Sequence, residues 1–301
     1  MCTQDWRRRR RWRGRQHCTR RPGSMDDLLD LDAIRRILMR LEDTITFLMI
    51  ERAQFAHNRA IYESSGAFTG LQTESNERSF LGWMLRETER THAKVRRYEA
   101  PDEYPFTPPD ELPRPILPLL RLPPTVLHPN PININPRILH FYIHNIVPVL
   151  TQRDGRSDDD GQYGSAATRD VEILQAVSRR IHYGKFVAES KFRAHPEAFV
   201  GHIRARDRAA LEGLITKPAV EVALIERLAK KALTYGQEIS EGDGPAAHHK
   251  GAEVTHKMDA KVVVEMYKNW VIPLTREVEV EYLLCRLDGL SEEELAQLDS
   301  N

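Results

Sequence analysis

The chain has 301 residues, 41% of them hydrophobic and 29% charged, which is typical of a globular protein with a substantial core. Basic and acidic residues balance at 44 each, but residues 1–24 hold nine arginines and one aspartate. The rest carries 35 basic against 43 acidic residues, a net charge of −8, which argues against general nucleic-acid binding. No run of 18 apolar residues exists, so we expect no membrane span.

The cysteines and the N-terminal segment bear on location. Cys2, Cys18 and Cys285 are widely spaced and form no Cys-x-x-Cys motif, which favours a reducing compartment. We therefore expect a cytoplasmic protein. Residues 1–24, with five consecutive arginines, are predicted to be disordered. They fit a transit peptide of the mitochondrial type, an RNA-binding arm or an extension upstream of a start at Met25, and we expect the extension.

The first elements in chain order are helices separated by an extended crossing. A helix is predicted from an N-cap at Asp32, with an apolar stripe bordered by Arg35, which we expect to face apolar surroundings. A second covers about 75–99 and ends in Arg96-Arg97. Residues 101–136 contain 12 prolines, which predicts an extended segment over the surface. Helix resumes over about 138–150.

Residues 164–192 contain the first indication of a ligand site. Read as a helix from about Thr168, this stretch has one apolar face, and Arg180 and Lys191 do not lie opposite it. They are eleven residues apart, roughly 16 Å along one line of the helix. A buried unpaired charge costs several kcal/mol. The two cations therefore indicate an anionic ligand, and Gly184 between them predicts a gap where it would sit.

Shorter helices are predicted at about 196–205 and 207–214, followed by longer ones at 218–235 and 260–287. The segment between the last two is a polar loop. No convincing strand is present, so we predict an all-α fold, one large domain of about ten or more helices.

These later helices also turn polar groups toward their apolar faces. Glu221, with Lys217 one turn earlier, lies on the apolar side of the 218–235 helix, and Thr275 and Glu279 do so on the last helix. Each alone fits a structural ion pair or a side chain that reaches solvent from the helix edge. Together with the two cations they indicate a site, because interior ionisable groups cluster at functional sites.

The residue types limit the chemistry of such a site. The sequence has no Gly-x-Ser-x-Gly, no cysteine with a histidine partner and no metal-ligand cluster. His140 and His144 lack the glutamate of a zinc helix, and we interpret them as surface or packing residues. Cations and carboxyls without a nucleophile suit a dianionic small molecule rearranged without covalent catalysis, so we expect no cofactor and no metal.

Several strings carry a family resemblance over about residues 28–288. Arg180-Ile-His-Tyr-Gly-Lys-Phe-Val-Ala-Glu-Ser-Lys191-Phe, Thr275-Arg-Glu-Val-Glu and Gly164-Ser-x-Ala-Thr-Arg-Asp resemble the allosterically regulated fungal-type chorismate mutases. The resemblance implies that residues 25–301 form an all-helical, homodimeric enzyme. It would convert chorismate to prephenate by a Claisen-type [3,3] rearrangement in phenylalanine and tyrosine biosynthesis.

By position, the resemblance also implies residue roles. Six residues would contact the substrate: Arg35 and Arg180 the two carboxylates, with Thr275 assisting, Lys191 and Glu279 the ether oxygen, and Glu221 the ring hydroxyl. At an effector pocket between subunits, Arg96 and Arg97 would meet Gly164, Ser165 and Thr168 of the other copy. That pocket would bind tyrosine as inhibitor and tryptophan as activator, since the N-terminal end of a helix favours a carboxylate.

Three positions depart from the family pattern. Lys217 stands where the pattern has asparagine, which changes the charge of the substrate pocket. Gln162 replaces an asparagine near the effector loop, and Asp259 stands at a position that is threonine in the pattern and is linked there to switching between states. We therefore expect catalysis to carry over more safely than the strength and sign of regulation.

Charge predicts a protonated Glu279. With both glutamates ionised, Arg35, Arg180, Lys191, Glu221 and Glu279 sum to only +1, a poor host for a dianion. Protonation of Glu279 gives +2 and a hydrogen-bond donor, and its apolar surroundings favour that state. The competing hypothesis is a catalytically inactive helical scaffold or regulatory protein whose inward charges are structural pairs only.

Overall fold

The computed structural model describes residues 28–63, 68, 70, 79–118, 126–152, 155, 157–237 and 256–299. The Arg-rich arm and most of the predicted loop before the last helix lie outside these ranges. Within them the regular structure is helical, apart from one isolated bridge between Gln237 and His256. The predicted all-α class is confirmed. No helix in the described ranges is long and apolar enough to cross a bilayer.

Twelve α-helices follow one another in the described part of the chain. They are α1 Leu31–Arg52, α2 Phe80–Lys94, α3 Asn135–Phe141, α4 Val147–Leu150, α5 Tyr163–His182, α6 Gly184–Ala194, α7 Pro196–Arg204, α8 Arg208–Ile215, α9 Pro218–Tyr235, α10 Ala260–Met266, α11 Ile272–Cys285 and α12 Glu292–Asp299.

Several boundaries differ from the prediction. The cap of α1 is Asp30, whose carboxylate accepts from Ala33 N, rather than Asp32. The predicted last helix is divided by a π-helical turn, Tyr267–Val271, and α12 was not predicted. That turn is followed by Pro273, which lacks an N–H and so removes one donor from the helical ladder.

The predicted long helix at 164–192 is two helices. It begins at Tyr163, earlier than Thr168, and is interrupted at Tyr183, where α5 ends and α6 starts. A Cβ at Gly184 would lie 3.0 Å from both Glu279 Cγ and Thr275 O. The lack of a side chain at Gly184 therefore lets α11 approach α6 closely. Gly184 also lines a cavity that is described below, so the prediction that a ligand lies beside it stays a prediction.

Helix α5 lies at the centre of the fold, packed on α1, α2, α3 and α11. Its predicted apolar face is buried through Ile173, Leu174, Val177 and Ile181. Burial of such side chains contributes roughly 1.5–3 kcal/mol each. This packing fixes the end of α5, where Arg180 lies, relative to α11.

A buried ion pair joins α5 to α1. Arg52 Nε donates to Asp170 Oδ1 at 2.7 Å, and both side chains are fully buried. Asp170 also accepts from Tyr62 and Tyr142, each at 2.7 Å. The other Arg52 nitrogens donate to Tyr62 and to backbone carbonyls such as Ala56 O. Every charged atom of this network has a partner, so it is a structural element of the core.

Candidate active site

One cavity of about 440 Å³ lies between α1, α5, α6, α9 and α11, and we call it the central cavity. A larger cleft of about 650 Å³ lies beside His57 and Asp158 but contains none of the predicted site residues, so volume alone does not identify the site. The charged and hydroxyl side chains that line the central cavity are Arg35, Arg180, Lys191, Thr216, Lys217, Glu221, Thr275, Arg276 and Glu279. All seven substrate-site residues predicted from helical spacing and family resemblance are among them.

Arg180 supplies unused donors. It projects from the last turn of α5, is 5% exposed, and its guanidinium lies 5.9 Å from the centre of the Tyr267 ring. Its Nε and Nη1 are buried and have no hydrogen-bond partner among the described residues. A buried donor without a partner costs about 1–3 kcal/mol, more when it is charged. This cost is offset when an anionic ligand enters the central cavity.

Lys191 is fixed at one end of the central cavity. Its Nζ donates to Ile215 O at 2.5 Å, which uses one of its three protons. Burial lowers the pKa of Lys191, Glu279 raises it, and Lys217 and Arg35 lower it further. The carbonyl of Ile215 ends α8, so the turn between α8 and α9 positions the ammonium group.

Glu279 is a buried carboxyl with a raised pKa. Burial on α11 raises its pKa to about 7, against the opposing effect of Lys191 and Arg180. Glu221 raises this pKa further, and Arg276 lowers it. A carboxyl in this range carries a proton in a large fraction of molecules near neutral pH, so it can donate a hydrogen bond. One turn earlier, Thr275 Oγ1 donates to Val271 O at 2.6 Å and keeps its lone pairs for a ligand.

Arg35 and Lys217 lie at the exposed rim. The prediction that Arg35 faces apolar surroundings is wrong: its side chain is 55% exposed and pairs with Asp32 Oδ1 at 2.7 Å. Arg35 lies near the N-terminal end of α1, which begins at Leu31, and there its side chain reaches solvent. Lys217 precedes the first turn of α9 and is also exposed. Both cations remain in reach of a ligand because they line the central cavity.

Sequence reasoning missed Thr216 and Arg276. The buried Thr216 hydroxyl has no partner among the described residues. Arg276 Nε lies 3.3 Å from Glu221 Oε1, and its Nη1 lies 3.0 Å from Glu212 Oε1. Arg276 follows Thr275 directly, so its helical position gave only a weak signal.

The two extra cations change the charge argument for Glu279. With Lys217 and Arg276 included, the lining groups sum to +3 even when both glutamates are ionised. Asp32 and Glu212, which pair with Arg35 and Arg276, offset part of this charge. Charge balance alone therefore does not decide the state of Glu279, and the charge argument for its protonation stays a prediction. Burial of Glu279 favours the protonated form, as its apolar surroundings predict.

The predicted effector residues lie away from the central cavity. Arg96 has a left-handed backbone (φ 68°) and donates to Pro118 O, while Arg97 Nε donates to Glu103 Oε2 at 2.8 Å. The other predicted residues lie at the start of α5: Gln162 precedes the helix, Gly164 and Ser165 are exposed, and Thr168 Oγ1 donates to Gly164 O at 2.7 Å. The predicted contact between these two groups across subunits stays a prediction.

Comparisons with known proteins address the same region. The family model described as chorismate mutase type II matches residues 162–280. A chorismate mutase of Emericella nidulans is 48% identical over 267 residues, covering 87% of this chain and 94% of that protein.

Two solved structures extend the similarity to the fold. The Aro7p chorismate mutase of Candida albicans, in complex with L-Trp, superposes with a TM-score of 0.78 at 39% identity. The match covers 91% of this chain and 98% of that one. AtCM1 with tyrosine bound in its allosteric site gives a TM-score of 0.72 at 42% identity, covering 85% and 96%.

Proposed function

This chain belongs to the chorismate mutase family, and we propose that the central cavity is its active site. The reaction is the intramolecular rearrangement of chorismate to prephenate. The observation that carries the assignment is the buried Arg180 guanidinium, which directs donors without partners into the central cavity. A carboxylate is the group that such a fork of N–H donors binds best.

Substrate binding begins with the two carboxylates. Arg180, which is buried, binds one, and Arg35 exchanges its exposed pair with Asp32 for the other. The hydroxyl of Thr275 adds a polar contact beside Arg180. Clamping both carboxylates holds a flexible dianion in the chair-like conformer that the rearrangement requires. Orientation of this kind supplies several kcal/mol of the rate enhancement.

The transition state is stabilised at the ether oxygen. Negative charge grows on this oxygen as its bond to carbon breaks, so donors aimed at it act more strongly on the transition state than on the substrate. Lys191 supplies an ammonium held by Ile215 O, and protonated Glu279 supplies an O–H. Glu221 accepts from the ring hydroxyl.

Regulation by aromatic amino acids is the finer part of the proposal. Tyrosine as inhibitor and tryptophan as activator bind a homodimer, between Arg96 and Arg97 of one copy and the start of α5 of the other. The similar structures that carry tryptophan or tyrosine support this. Helix α5 then links both sites, although its interruption at Tyr183 separates Lys191 from the effector end. We also propose a cytoplasmic location, from the cysteine usage.

The alternative is an inactive scaffold with structural ion pairs. It requires that buried charges be satisfied within the protein, as they are at Arg52 and Asp170. Arg180 does not meet that requirement within the described residues.

The direct test follows chorismate disappearance optically with the purified chain, alone and with tyrosine or tryptophan. We expect saturable turnover to prephenate, lowered by tyrosine and raised by tryptophan. A folded chain without turnover would contradict the catalytic proposal, whereas turnover indifferent to both amino acids would contradict only the regulatory part.

A further inference from the structure

Arg276 lies in the wall between the central cavity and the protein surface. It lines the central cavity on one side and, on the other, an outer cleft of about 280 Å³ that also contains Arg208 and Glu212. Its side chain is 32% exposed, so it belongs to the wall and not to the solvent-facing surface. None of the roles proposed above uses it.

The guanidinium of Arg276 joins three helices. From α11 it pairs with Glu212 on α8 through Nη1 at 3.0 Å, and with Glu221 on α9 through Nε at 3.3 Å. The Nε atom is buried and makes no aligned hydrogen bond among the described residues, although Glu221 Oε1 is close. A planar guanidinium can serve two carboxylates at once, which an ammonium group cannot do in the same geometry.

Glu221 needs such a restraint. It is 31% exposed and stands in the first turn of α9, and a glutamate has three rotatable side-chain bonds to order. Its described ion pair is the one with Arg276, which is anchored in turn by Glu212. The carboxylate that faces the substrate is therefore oriented by a chain of charges that runs out to the surface.

We infer that Arg276 is a positioning residue: held by Glu212, it orients Glu221 toward the ring hydroxyl of chorismate. Its positive charge also favours the ionised form of Glu279. The inference rests on the proposed function of the central cavity. Because Glu221 contacts a group that does not change in the reaction, loss of its orientation weakens substrate and transition state alike. Such uniform loss raises KM and leaves kcat nearly unchanged.

The field at Glu279 gives a second, independent readout. The groups that face Glu279 are Lys191 and Arg180 from α6 and α5, Glu221 from α9 and Arg276 from its own helix. Lys217 and Arg35 lie farther out, where they act on Lys191. Arg276 is one of the cations that lower the pKa of Glu279. Its removal raises that pKa, so the fall of activity on the alkaline side moves to higher pH.

The experiment measures kcat, KM and the pH profile of kcat/KM for the full chain and for Arg276→Gln, Arg276→Lys and Glu212→Gln. For Arg276→Gln we expect KM to rise about tenfold, kcat to stay within about twofold and the alkaline limb to move upward. Arg276→Lys keeps the charge, so its pH profile falls at the wild-type pH on the alkaline side. Its KM returns only in part toward the wild-type value. Glu212→Gln removes the anchor and raises KM about threefold.

Arg208→Gln is the matched control, because Arg208 also bridges α8 and α11, through Glu281 at 2.8 Å, without lining the central cavity. We expect Arg208→Gln to leave KM and the alkaline side of the pH profile unchanged. If Arg276→Gln behaves like this control, or loses kcat alone, the inference is overturned. If Arg276→Gln does not fold, Arg276→Lys and Glu212→Gln decide by the same criteria. Absence of turnover in the wild-type chain is a different result, which overturns the proposed function itself.

Discussion

Helix α5 carries two buried charges that are treated in opposite ways. Asp170, near its middle, accepts from Arg52 and two tyrosines, and each guanidinium nitrogen of Arg52 has a partner. Arg180, ten residues later, leaves Nε and Nη1 without partners in the described structure. Both side chains are almost inaccessible, so burial does not distinguish them. The two charges differ in whether their polar atoms have hydrogen-bond partners. A saturated network, in which every atom has a partner, stabilises the fold, whereas donors without partners are available to a ligand.

The largest expected effect falls on the saturated network. Asp170→Asn leaves the Arg52 charge buried without its counter-ion, so we expect the free energy of unfolding to fall by about 3–5 kcal/mol. The kcat/KM of the molecules that remain folded stays near wild type. Denaturant melts and chorismate kinetics measure the two quantities. Glu281→Gln is the control, because it removes an exposed partner of Arg208 and costs under about 1 kcal/mol.

A second variant tests the close approach of α6 and α11, the helices that carry Lys191 and Glu279. Gly184→Ala adds a Cβ 3.0 Å from Thr275 O and Glu279 Cγ, and we expect a loss of about 1–3 kcal/mol of stability. Activity falls as well, because α11 carries both contacted residues. Gly213→Ala, in α8 with open space around its Cβ, stabilises the chain by roughly 0.5–1 kcal/mol. Equal melting of the two variants would contradict the packing argument.

The ionisation of Glu279 predicts the pH dependence. If the protonated carboxyl is the active form, as proposed, kcat/KM is highest at acid pH and falls as pH rises through about 7. Well above that pH the loss reaches about tenfold per pH unit. Glu279→Gln donates through its amide at every pH and flattens this limb. A wild-type kcat/KM that is constant from acid to mildly alkaline pH would contradict the assignment.

The smallest expected effect is at the rim. Lys217→Asn restores the amide of the family pattern and removes one exposed cation from the mouth. We expect KM for chorismate to rise about threefold at low salt and the difference to shrink at high salt, because solvent screens exposed charges. Arg36→Gln, on α1 but outside the central cavity, is the control for net charge. A salt-independent change in KM would indicate direct contact instead of long-range attraction.

The sequence predicts the residues of the central cavity better than it predicts the buried network of Arg52 and Asp170. Helical spacing places Arg180, Lys191 and Glu279 toward apolar surroundings, and the structure brings them to one cavity, because position on a helix depends on local geometry alone. Their roles toward chorismate stay predictions. The exposure of Arg35 was not predicted, because it depends on which other elements cover this part of α1, and helical spacing does not show that.

The saturated network could not be predicted in the same way. Arg52 and Asp170 are 118 residues apart, and neither position shows which partner the other will meet. The same holds for Arg276, whose pairing with Glu212 and Glu221 depends on how three helices cross. The interruption at Tyr183 and the close packing of Gly184 on α11 are likewise features that hydrophobic periodicity does not report.

One variant measured in two ways tests the distinction most directly. In Arg180→Gln we expect kcat/KM for chorismate to fall about 10²–10³-fold, since a buried charged contact to the substrate is lost. Its free energy of unfolding is equal to or higher than that of wild type, because a buried charge with two donors that lack hydrogen-bond partners is removed. A loss of about 3–5 kcal/mol in stability with kcat/KM retained would contradict this and place Arg180 with Asp170 as a structural charge.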